Sequence, residues 1–218
     1  MNSGDDWTVV VAARSPATAK SRLSVLGDTA RRQLAEAFVA DVLDCLAAVA
    51  AIRQVMLLTD VNGWSRCPRG GESAGLLHDQ RRGLNTELAC AAALLPRPVA
   101  FMHADLPCLR PAEVEQVLRE GDDVRAGVVP DHASTGSTAT TFRSEDVFAR
   151  FGAGSHQRHR ASGAVTIGTS LPGLRLDVDA PDDLARAHSL GLGRHTQRAL
   201  EEAPLPRWFR KKLAATSP

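Results

Sequence analysis

Short apolar strands alternate with helical patterns along most of this chain, and this alternation restricts the possible folds more than any other feature. The first apolar run, residues 7–13 (WTVVVAA), is rich in β-branched residues and leads directly into a polar loop, as buried strands of parallel sheets do. Comparable runs predict further strands at 52–59, 74–78, 98–103, 124–129, 138–142 and 174–178. Strands that alternate with helices form mostly parallel sheets. We therefore predict an α/β fold with helices on both faces of the sheet.

The intervening helices are predicted from periodicity and from end signals. Apolar residues recur at three- and four-residue intervals at Leu34, Phe38, Val42, Cys45 and Val49. Such spacing gives a helix with one apolar face. Asn85 or Thr86 is expected to cap a second helix, and Pro111 and Pro181 are each expected to open another. Residues 60–73 have the composition of a loop.

The length and composition fit one domain. A chain of 218 residues with 44% hydrophobic residues can bury one sizeable core. We place the domain at residues 1–200 and a basic amphipathic tail at residues 201–218, where Trp208 and Phe209 stand among four cations. The tail is interpreted as a frayed segment, with docking on the body or on a partner as the alternative.

Charge and hydropathy exclude several classes of partner. The formal net charge is +1 and aromatic residues make up 4% of the chain, which argues against nucleic acid as a partner. No apolar run reaches the roughly 18 residues that span a bilayer. The segment 1–14 is acidic before its apolar run and lacks the basic start of a signal peptide. A cytoplasmic protein without a membrane partner is therefore expected, and a homodimer is compatible with the sequence.

A basic loop follows the first predicted strand. Arg14, Lys20 and Arg22 place three cations within nine residues, at the sheet edge where α/β proteins bind ligands. Such a loop can hold a polyphosphate, although it lacks the GxxxxGK pattern of a P-loop. The alternative interpretation is a solvated basic loop.

Carboxylates follow two other predicted strands. Asp105 comes after 98–103, and Asp177 and Asp179 lie two residues apart at the end of 174–178. On an extended strand, Asp177 and Asp179 share one face, where two carboxylates favour a cation between them. The pattern predicts a Mg²⁺ site. Alternatively, an aspartate caps a helix, and Asp179 stands where it can cap the helix from Pro181.

A second anion-binding region is predicted near residues 134–160. The hydroxyl-rich stretch 134–138 and the turn 152–155 offer hydroxyl and backbone N–H donors. Arg158 and His159 follow within a dense cationic cluster, in which we expect them to contact an anion. A triphosphate site, a second anion site and carboxylates for Mg²⁺ together predict transfer of a nucleotidyl group to a phosphorylated acceptor. The acceptor phosphate is already anionic, so positioning and charge neutralisation suffice for such a reaction.

Six segments come in an order known from one family: AKSRL, LNTEL, ADLP, TGSTA, RFGAGS and PGLRLDVDAPDDL. Over about residues 8–200 the chain resembles the phosphoenolpyruvate or 2-phospho-L-lactate guanylyltransferases of deazaflavin coenzyme F-420 biosynthesis. The resemblance implies a nucleotidyltransferase fold, GT-A-like and Rossmann-like. It also implies GTP and a small phosphorylated carboxylic acid as substrates, Mg²⁺ as cofactor and pyrophosphate as product.

The resemblance also implies roles for individual residues. Lys20, Arg22 and Asp105 are expected to act in catalysis. The triphosphate is expected at Arg14, Lys20 and Arg22, the nucleobase near Asn85 and Thr86, and the metal at Asp105, Asp177 and Asp179. The acid is expected at Thr138, Gly152 and Ser155, with Ser137 as the fallback. Ala104 stands where such enzymes commonly have Gly.

Three alternatives remain open on the sequence. The acceptor can be phosphoenolpyruvate, 2-phospho-L-lactate or 3-phosphoglycerate, which differ by small groups that a pocket discriminates weakly. The chain can instead be a nucleotidyltransferase for another phosphorylated acceptor. It can also be a nucleotide-binding module without activity, which the presence of all three aspartates and both Lys20 and Arg22 argues against.

Overall fold

A computed structural model describes residues 6–60 and 74–216 of the chain. The strands are β1 (Trp7–Ala12), β2 (Ile52–Thr59), β3 (Ala74–His78), β4 (Val99–His103), β5 (Ala126–Pro130), β6 (Ser137–Phe142) and β7 (Val165–Thr166). Six of the seven predicted strands are thus present, with β5 starting two residues later than expected. The short β7 was not predicted. Nearly all of the predicted loop at 60–73 lies outside the described residues.

The helices cover most of the remaining chain. They are α1 (Asp28–Ala47), α2 (Leu84–Leu94), α3 (Pro111–Asp122), α4 (Ser155–Ala161), α5 (Pro172–Arg175), α6 (Pro181–Leu190), α7 (Arg194–Glu202) and α8 (Arg207–Ala215). A 3-10 helix (Ser21–Leu26) precedes α1. Helix α2 starts after Gly83 rather than at an Asn85 or Thr86 cap, because the Asn85 side chain bonds to a distant loop instead.

The seven strands form one mixed sheet in the order β3-β2-β1-β4-β6-β5-β7. Neighbouring strands are parallel except where β6 pairs with β4 and β5. Strand β6 runs against the others because residues 131–136 are too few for the crossover that parallel strands need. The prediction of a mostly parallel sheet is confirmed.

Helices cover both faces of the sheet, as predicted. On one face, Val9 and Val11 of β1 join a core with apolar residues of α1 and α3. On the other face, Val10 packs in a core with Leu88 of α2 and with Phe101 of β4. The alternation along β1 therefore fills two separate cores.

A third cluster lies outside α1. Leu34 and Phe38 of α1 pack there with Leu184 of α6, Leu200 of α7 and Phe209 of α8. The boundary predicted after residue 200 falls inside α7, and residues 207–215 form a helix on the body rather than a frayed tail. The apolar side of the amphipathic segment gives the reason, since Phe209 is fully buried.

The predicted strand at 174–178 is wrong. Pro172 opens the single turn of α5 (Pro172–Arg175), and the described residues 176–180 are not in a strand. The Val178 N–H donates to the carbonyl of Asp105 (3.0 Å) outside any sheet ladder. The apolar alternation has another cause, since Leu174 packs in the core that contains α1 and α3, whereas Leu176 and Val178 pack in the outer cluster. In the described ranges, no helix is long and apolar enough to cross a membrane.

Candidate active site

A cleft of about 790 Å³ lies at the carboxyl ends of the parallel strands. It opens beside β1, whose two neighbours are β2 and β4, which is where open α/β sheets bind ligands. Seven predicted site residues line it: Arg14, Lys20, Arg22, Asp105, Gly152, Asp177 and Asp179. The structure therefore brings the predicted triphosphate loop and all three predicted metal ligands to one place.

Lys20 connects the basic loop to the carboxylates. Its Nζ donates to Asp105 Oδ2 and to Asp179 Oδ1, the latter at 2.7 Å. The backbone of Lys20 is left-handed, with φ 56° and ψ 46°, a conformation that residues other than Gly seldom adopt. The loop is fastened at its start by Ser15, whose N–H donates to Asp60 Oδ1 (3.0 Å). The basic loop thus has a defined conformation, while Arg14 and Arg22 on it are exposed.

The protonation of this cluster follows from its burial and its charges. Burial opposes the charge of Lys20, but Asp105 and Asp179 outweigh that effect and raise the pKa of its ammonium. Burial likewise opposes ionisation of Asp105, and the charge of Lys20 overcomes it and lowers the carboxyl pKa. Burial, and then the charges of Asp105 and Asp179, raise the pKa of Asp177 to about 7. Lys20 thus offsets part of the negative charge of the three carboxylates, and Arg22 Nη1 lies 3.8 Å from Asp179 Oδ2 as a further cation.

The donor set fits a hard divalent cation. In the part of the chain that the structure describes, no three His, Cys, Asp or Glu side chains already form a group that could hold a metal. Mg²⁺ does not require one, since it is usually held by one or two carboxylates together with phosphate oxygens and water. Asp105 Oδ1 is buried and lacks a hydrogen-bond partner among the described residues. Asp105, Asp177 and Asp179 therefore suit a metal that arrives with a nucleotide.

The turn around Phe151 forms another part of the cleft wall. Asn85 accepts the Phe151 N–H (2.8 Å) and donates to the Phe151 carbonyl (3.1 Å). Arg158 donates to the same carbonyl (3.1 Å), and His159 Nε2 accepts the N–H of Arg150 (3.0 Å). Gly152 has φ +114° and faces the cleft. Asn85, Arg158 and His159 thus hold the turn, and none of the three lines the cleft.

Behind this turn, the hydroxyls of the predicted acid site are buried. Ser137 donates to Ser155 Oγ (2.8 Å) and lies 3.3 Å from His159 Nδ1. Thr138 is fully buried, and its Oγ1 lacks a hydrogen-bond partner among the described residues. Burial lowers the pKa of His159 to about 4. The structure therefore makes His159 a neutral part of this network instead of the cation expected from the sequence.

Among the charged or titratable residues that line the cleft, sequence reasoning missed four: Asp60, Asp79, Arg81 and His103. Asp60 directly follows β2 and Asp79 directly follows β3. The strand-end rule that selected Asp105 selects them as well once β3 is accepted as parallel to β2. Thr86, expected near the nucleobase, is exposed and is not among the residues that line the cleft.

Comparison with known structures supports the fold. A provisionally assigned nucleotide-diphospho-sugar transferase from Desulfovibrio desulfuricans superposes with a TM-score of 0.71 at 18% identity, over 99% of this chain and 100% of that chain. A 4-diphosphocytidyl-2C-methyl-D-erythritol synthase from Anaerococcus prevotii gives 0.54 at 10% identity, over 83% and 93%. The predicted nucleotidyltransferase fold is confirmed.

Sequence comparison identifies the family. Residues 8–205 match the family of guanylyl transferases described as CofC like. A phosphoenolpyruvate guanylyltransferase of Streptomyces avermitilis is 39% identical over 211 residues, covering 92% of this chain and 96% of that protein. The enzyme of the same name from Streptomyces coelicolor is 39% identical over 199 residues, covering 87% and 93%. The chain therefore belongs to the CofC-like guanylyltransferases, a family of nucleotidyltransferases.

Proposed function

We propose that the protein transfers the guanylyl group of GTP to phosphoenolpyruvate in the biosynthesis of coenzyme F-420, within the cytoplasm. An oxygen of the acceptor phosphate attacks the α-phosphorus of GTP. The bond between the α-phosphorus and the oxygen that links it to the β-phosphorus breaks, and pyrophosphate leaves. The observation that carries the proposal is the Lys20 ammonium held between Asp105 and Asp179 in a cleft lined by Arg14 and Arg22. The relatives named above carry the same activity in their names.

The residues of the cleft divide the work of binding the triphosphate. Arg14 and Arg22 are exposed on the basic loop and offer guanidinium forks to phosphate oxygens. Lys20 adds a point charge from a less exposed position. Asp105, Asp177 and Asp179 would hold Mg²⁺, which when bound supplies positive charge to the phosphates. Catalysis by this chain is then positioning and neutralisation of charge.

The acceptor acid is placed beside the turn at Phe151 and Gly152. The absence of a side chain at Gly152 leaves its backbone open to a ligand in the cleft wall. Thr138 Oγ1 is a buried hydroxyl without a partner among the described residues, but Thr138 is not among the residues that line the cleft. Ser155 supports the same wall through its bond with Ser137.

We place the nucleobase near Asp60 and Asp79, which line the cleft where β2 and β3 end. A carboxylate accepts hydrogen bonds only, and guanine offers two neighbouring donors at N1 and N2. The Asp79 carboxylate is fixed by the N–H of Arg81, which donates to Oδ1 (2.6 Å) from a left-handed backbone. Asp60 is already held by Ser15 and lies 3.5 Å from Arg81. Asp79 is therefore the better candidate for selecting guanine.

The proposed reaction is tested by pyrophosphate release from the purified protein with GTP and Mg²⁺. Phosphoenolpyruvate, 2-phospho-L-lactate and 3-phosphoglycerate are compared in parallel, with the downstream enzyme and its deazaflavin acceptor as a trap and with products identified by mass. We expect release with phosphoenolpyruvate. Release with another acid only would reassign the acceptor. GTP binding without release from any acid, trap included, would instead indicate an inactive nucleotide-binding module.

Selection of guanine is tested by Asp79→Asn. The amide replaces one acceptor by a donor, so we expect the preference for GTP over ATP in kcat/KM to fall by about 10-fold or more, the effect of one charged hydrogen bond. Preference for GTP over ITP, which lacks the N2 amino group, should fall as well. Asp123→Asn, an exposed position outside the cleft, is the control. Unchanged selectivity in Asp79→Asn would remove this residue from base recognition.

A further inference from the structure

Arg31 is a buried arginine for which the site described above has no role. It lies in the first turn of α1 and is only 5% exposed. Its Nη1 donates to the carbonyls of Pro16 (2.9 Å) and Ala19 (2.6 Å), and its Nη2 to that of Ala17 (3.1 Å). All three carbonyls belong to the basic loop between β1 and Lys20.

The chemistry of this contact points to loop shape rather than to charge pairing. A buried guanidinium is unfavourable unless its N–H groups find acceptors. Apart from Asp28, whose carboxylate is 3.2 Å from Nε and 72% exposed, the acceptors are neutral backbone carbonyls. The planar guanidinium has five donors in a fixed arrangement. It can therefore bind several carbonyls of one loop together, and the ammonium of a lysine cannot reproduce that arrangement.

One of these carbonyls, that of Ala19, is coupled to the backbone conformation of Lys20. The Ala19 carbonyl belongs to the peptide that precedes Lys20, so its direction is linked to the φ angle of Lys20. That angle is +56°, and the left-handed conformation is unfavourable for a residue with a side chain. The surrounding structure has to maintain it. With this backbone conformation, Lys20 Nζ contacts both Asp105 and Asp179.

We propose that Arg31 is a positioning residue that holds the basic loop so that Lys20 lies between Asp105 and Asp179, poised for the triphosphate. The proposal rests on the proposed function for its catalytic meaning. Its geometric content, the placement of Lys20, can be tested without any nucleotide. A purely structural alternative exists, because Ala30 and Leu34 beside Arg31 belong to the outer apolar cluster.

The first test measures Lys20 directly. The chain has three lysines, Lys20, Lys211 and Lys212, and Lys211 is exposed, so its rate of acetylation by acetic anhydride serves as an internal reference. Loss of charged hydrogen bonds of this kind corresponds to a factor of about 10. In Arg31→Met and Arg31→Lys we expect Lys20 to be acetylated about 10-fold faster relative to Lys211. Arg32→Met, the exposed neighbour, is the matched control and should keep the parent ratio. An unchanged ratio in both Arg31 variants would overturn the proposal.

The second test separates positioning from general stability. Binding of GTP with Mg²⁺ is measured by calorimetry in a cycle of Arg31→Lys with Lys20→Met, alongside urea unfolding of each variant. If Arg31 acts through Lys20, Arg31→Lys weakens binding about 10-fold in the parent and has no further effect in Lys20→Met. Equal weakening in both backgrounds would overturn the proposal. Absence of GTP binding by the parent chain would count against the proposed function, while the acetylation result would still decide the placement of Lys20.

Discussion

At the scale of single residues, the site depends on side chains whose charge is set by a buried environment. Lys20 combines an unfavourable backbone conformation with two carboxylate partners. Asp105 keeps its charge despite burial because that lysine contacts it. His159, by contrast, is kept neutral by burial among Ser137, Ser155 and the Arg150 N–H. Asp105 is thus charged because Lys20 contacts it, whereas His159 is neutral because the groups that it contacts carry no counter-charge.

Asp105→Asn tests the acidic centre. The substitution removes one charge from the Lys20 pair and a ligand oxygen from the proposed metal site. We expect kcat to fall by about 10³-fold, while circular dichroism and the unfolding transition remain close to those of the parent, because Asp179 still contacts Lys20. Asp123→Asn supplies the control at an exposed site. Activity within about threefold of the parent is a far smaller loss than such a group should cause, and it would refute the assignment of Asp105.

His159 predicts a pH dependence of stability. Its pKa is about 4 in the folded chain against 6.5 for an ordinary histidine, so the unfolded chain binds the extra proton between these values. The stabilisation is complete above pH 6.5 and declines as pH falls towards 4, by at most about 3 kcal/mol. In His159→Gln the free energy of unfolding should fall less steeply over this interval. Comparison at pH 8 isolates the loss of packing, and parallel curves for both proteins would contradict the assignment.

At the scale of elements, the cleft wall is assembled from parts that are distant in sequence. The turn at Phe151 is held by Asn85 of α2 and by Arg158 and His159 of α4. The acidic wall likewise joins Asp105 after β4 to Asp179 before α6 through Lys20. Because each wall has partners on separate elements, substitution at a supporting residue changes the site without touching the ligand.

Asn85→Ala tests this support. It removes two hydrogen bonds to the backbone of Phe151, each worth about 1 kcal/mol. We expect KM for the acceptor acid to rise by about 10-fold, with KM for GTP nearly unchanged. The neighbouring Thr86→Ala, at an exposed position outside the cleft, should leave both constants alone. A rise confined to KM for GTP would instead favour the original interpretation of Asn85 as a nucleobase contact.

At the scale of the whole molecule, the C-terminal helices form an extra layer over α1. Phe209 is fully buried there with Leu34, Phe38 and Leu200. The layer is also tied by polar contacts, since Asp41 of α1 accepts the N–H groups of His195 and Thr196, each at 2.9 Å. Helix α1 thus lies between the sheet and this layer, so the layer supports the helix that carries Arg31.

Phe209→Ala measures the contribution of this layer. Truncation of a buried phenylalanine destabilises proteins by about 3–5 kcal/mol, and we expect a loss of that size in urea unfolding. Trp208→Ala is the natural comparison, because Trp208 is 50% exposed on the same helix and should lose about 1 kcal/mol or less. Equal effects of the two substitutions would mean that α8 does not stabilise the body.

The pattern of apolar residues along the sequence predicted those elements that depend mainly on neighbouring residues. Continuous apolar runs identified β1, β2 and β4, and the strand-end rule placed Lys20 and Asp105 in one cleft. Asp179 lines the same cleft, but from a segment that is not the strand on which its prediction rested. The sequence pattern could not predict that Leu174, Leu176 and Val178 are buried in two different apolar clusters rather than in a strand of the sheet. Nor could it show that Asn85 binds a backbone 66 residues away. Such contacts depend on tertiary packing, which overrides local preference.

Strand β1 lies inside the sheet, between β2 and β4, although it comes first among the described strands, and this order matters during synthesis. Strand β1 is translated before β4, and its pairing with β4, from Thr8 opposite Val99 to Ala12 opposite His103, must wait for about ninety more residues. Until then the backbone N–H and C=O groups along one edge of the apolar strand β1 have no partner strand, which makes the nascent chain prone to aggregate. Asp179, which completes the lysine's contacts, is translated later still. The contacts of Lys20 in the candidate site therefore form only after residue 179 has been made.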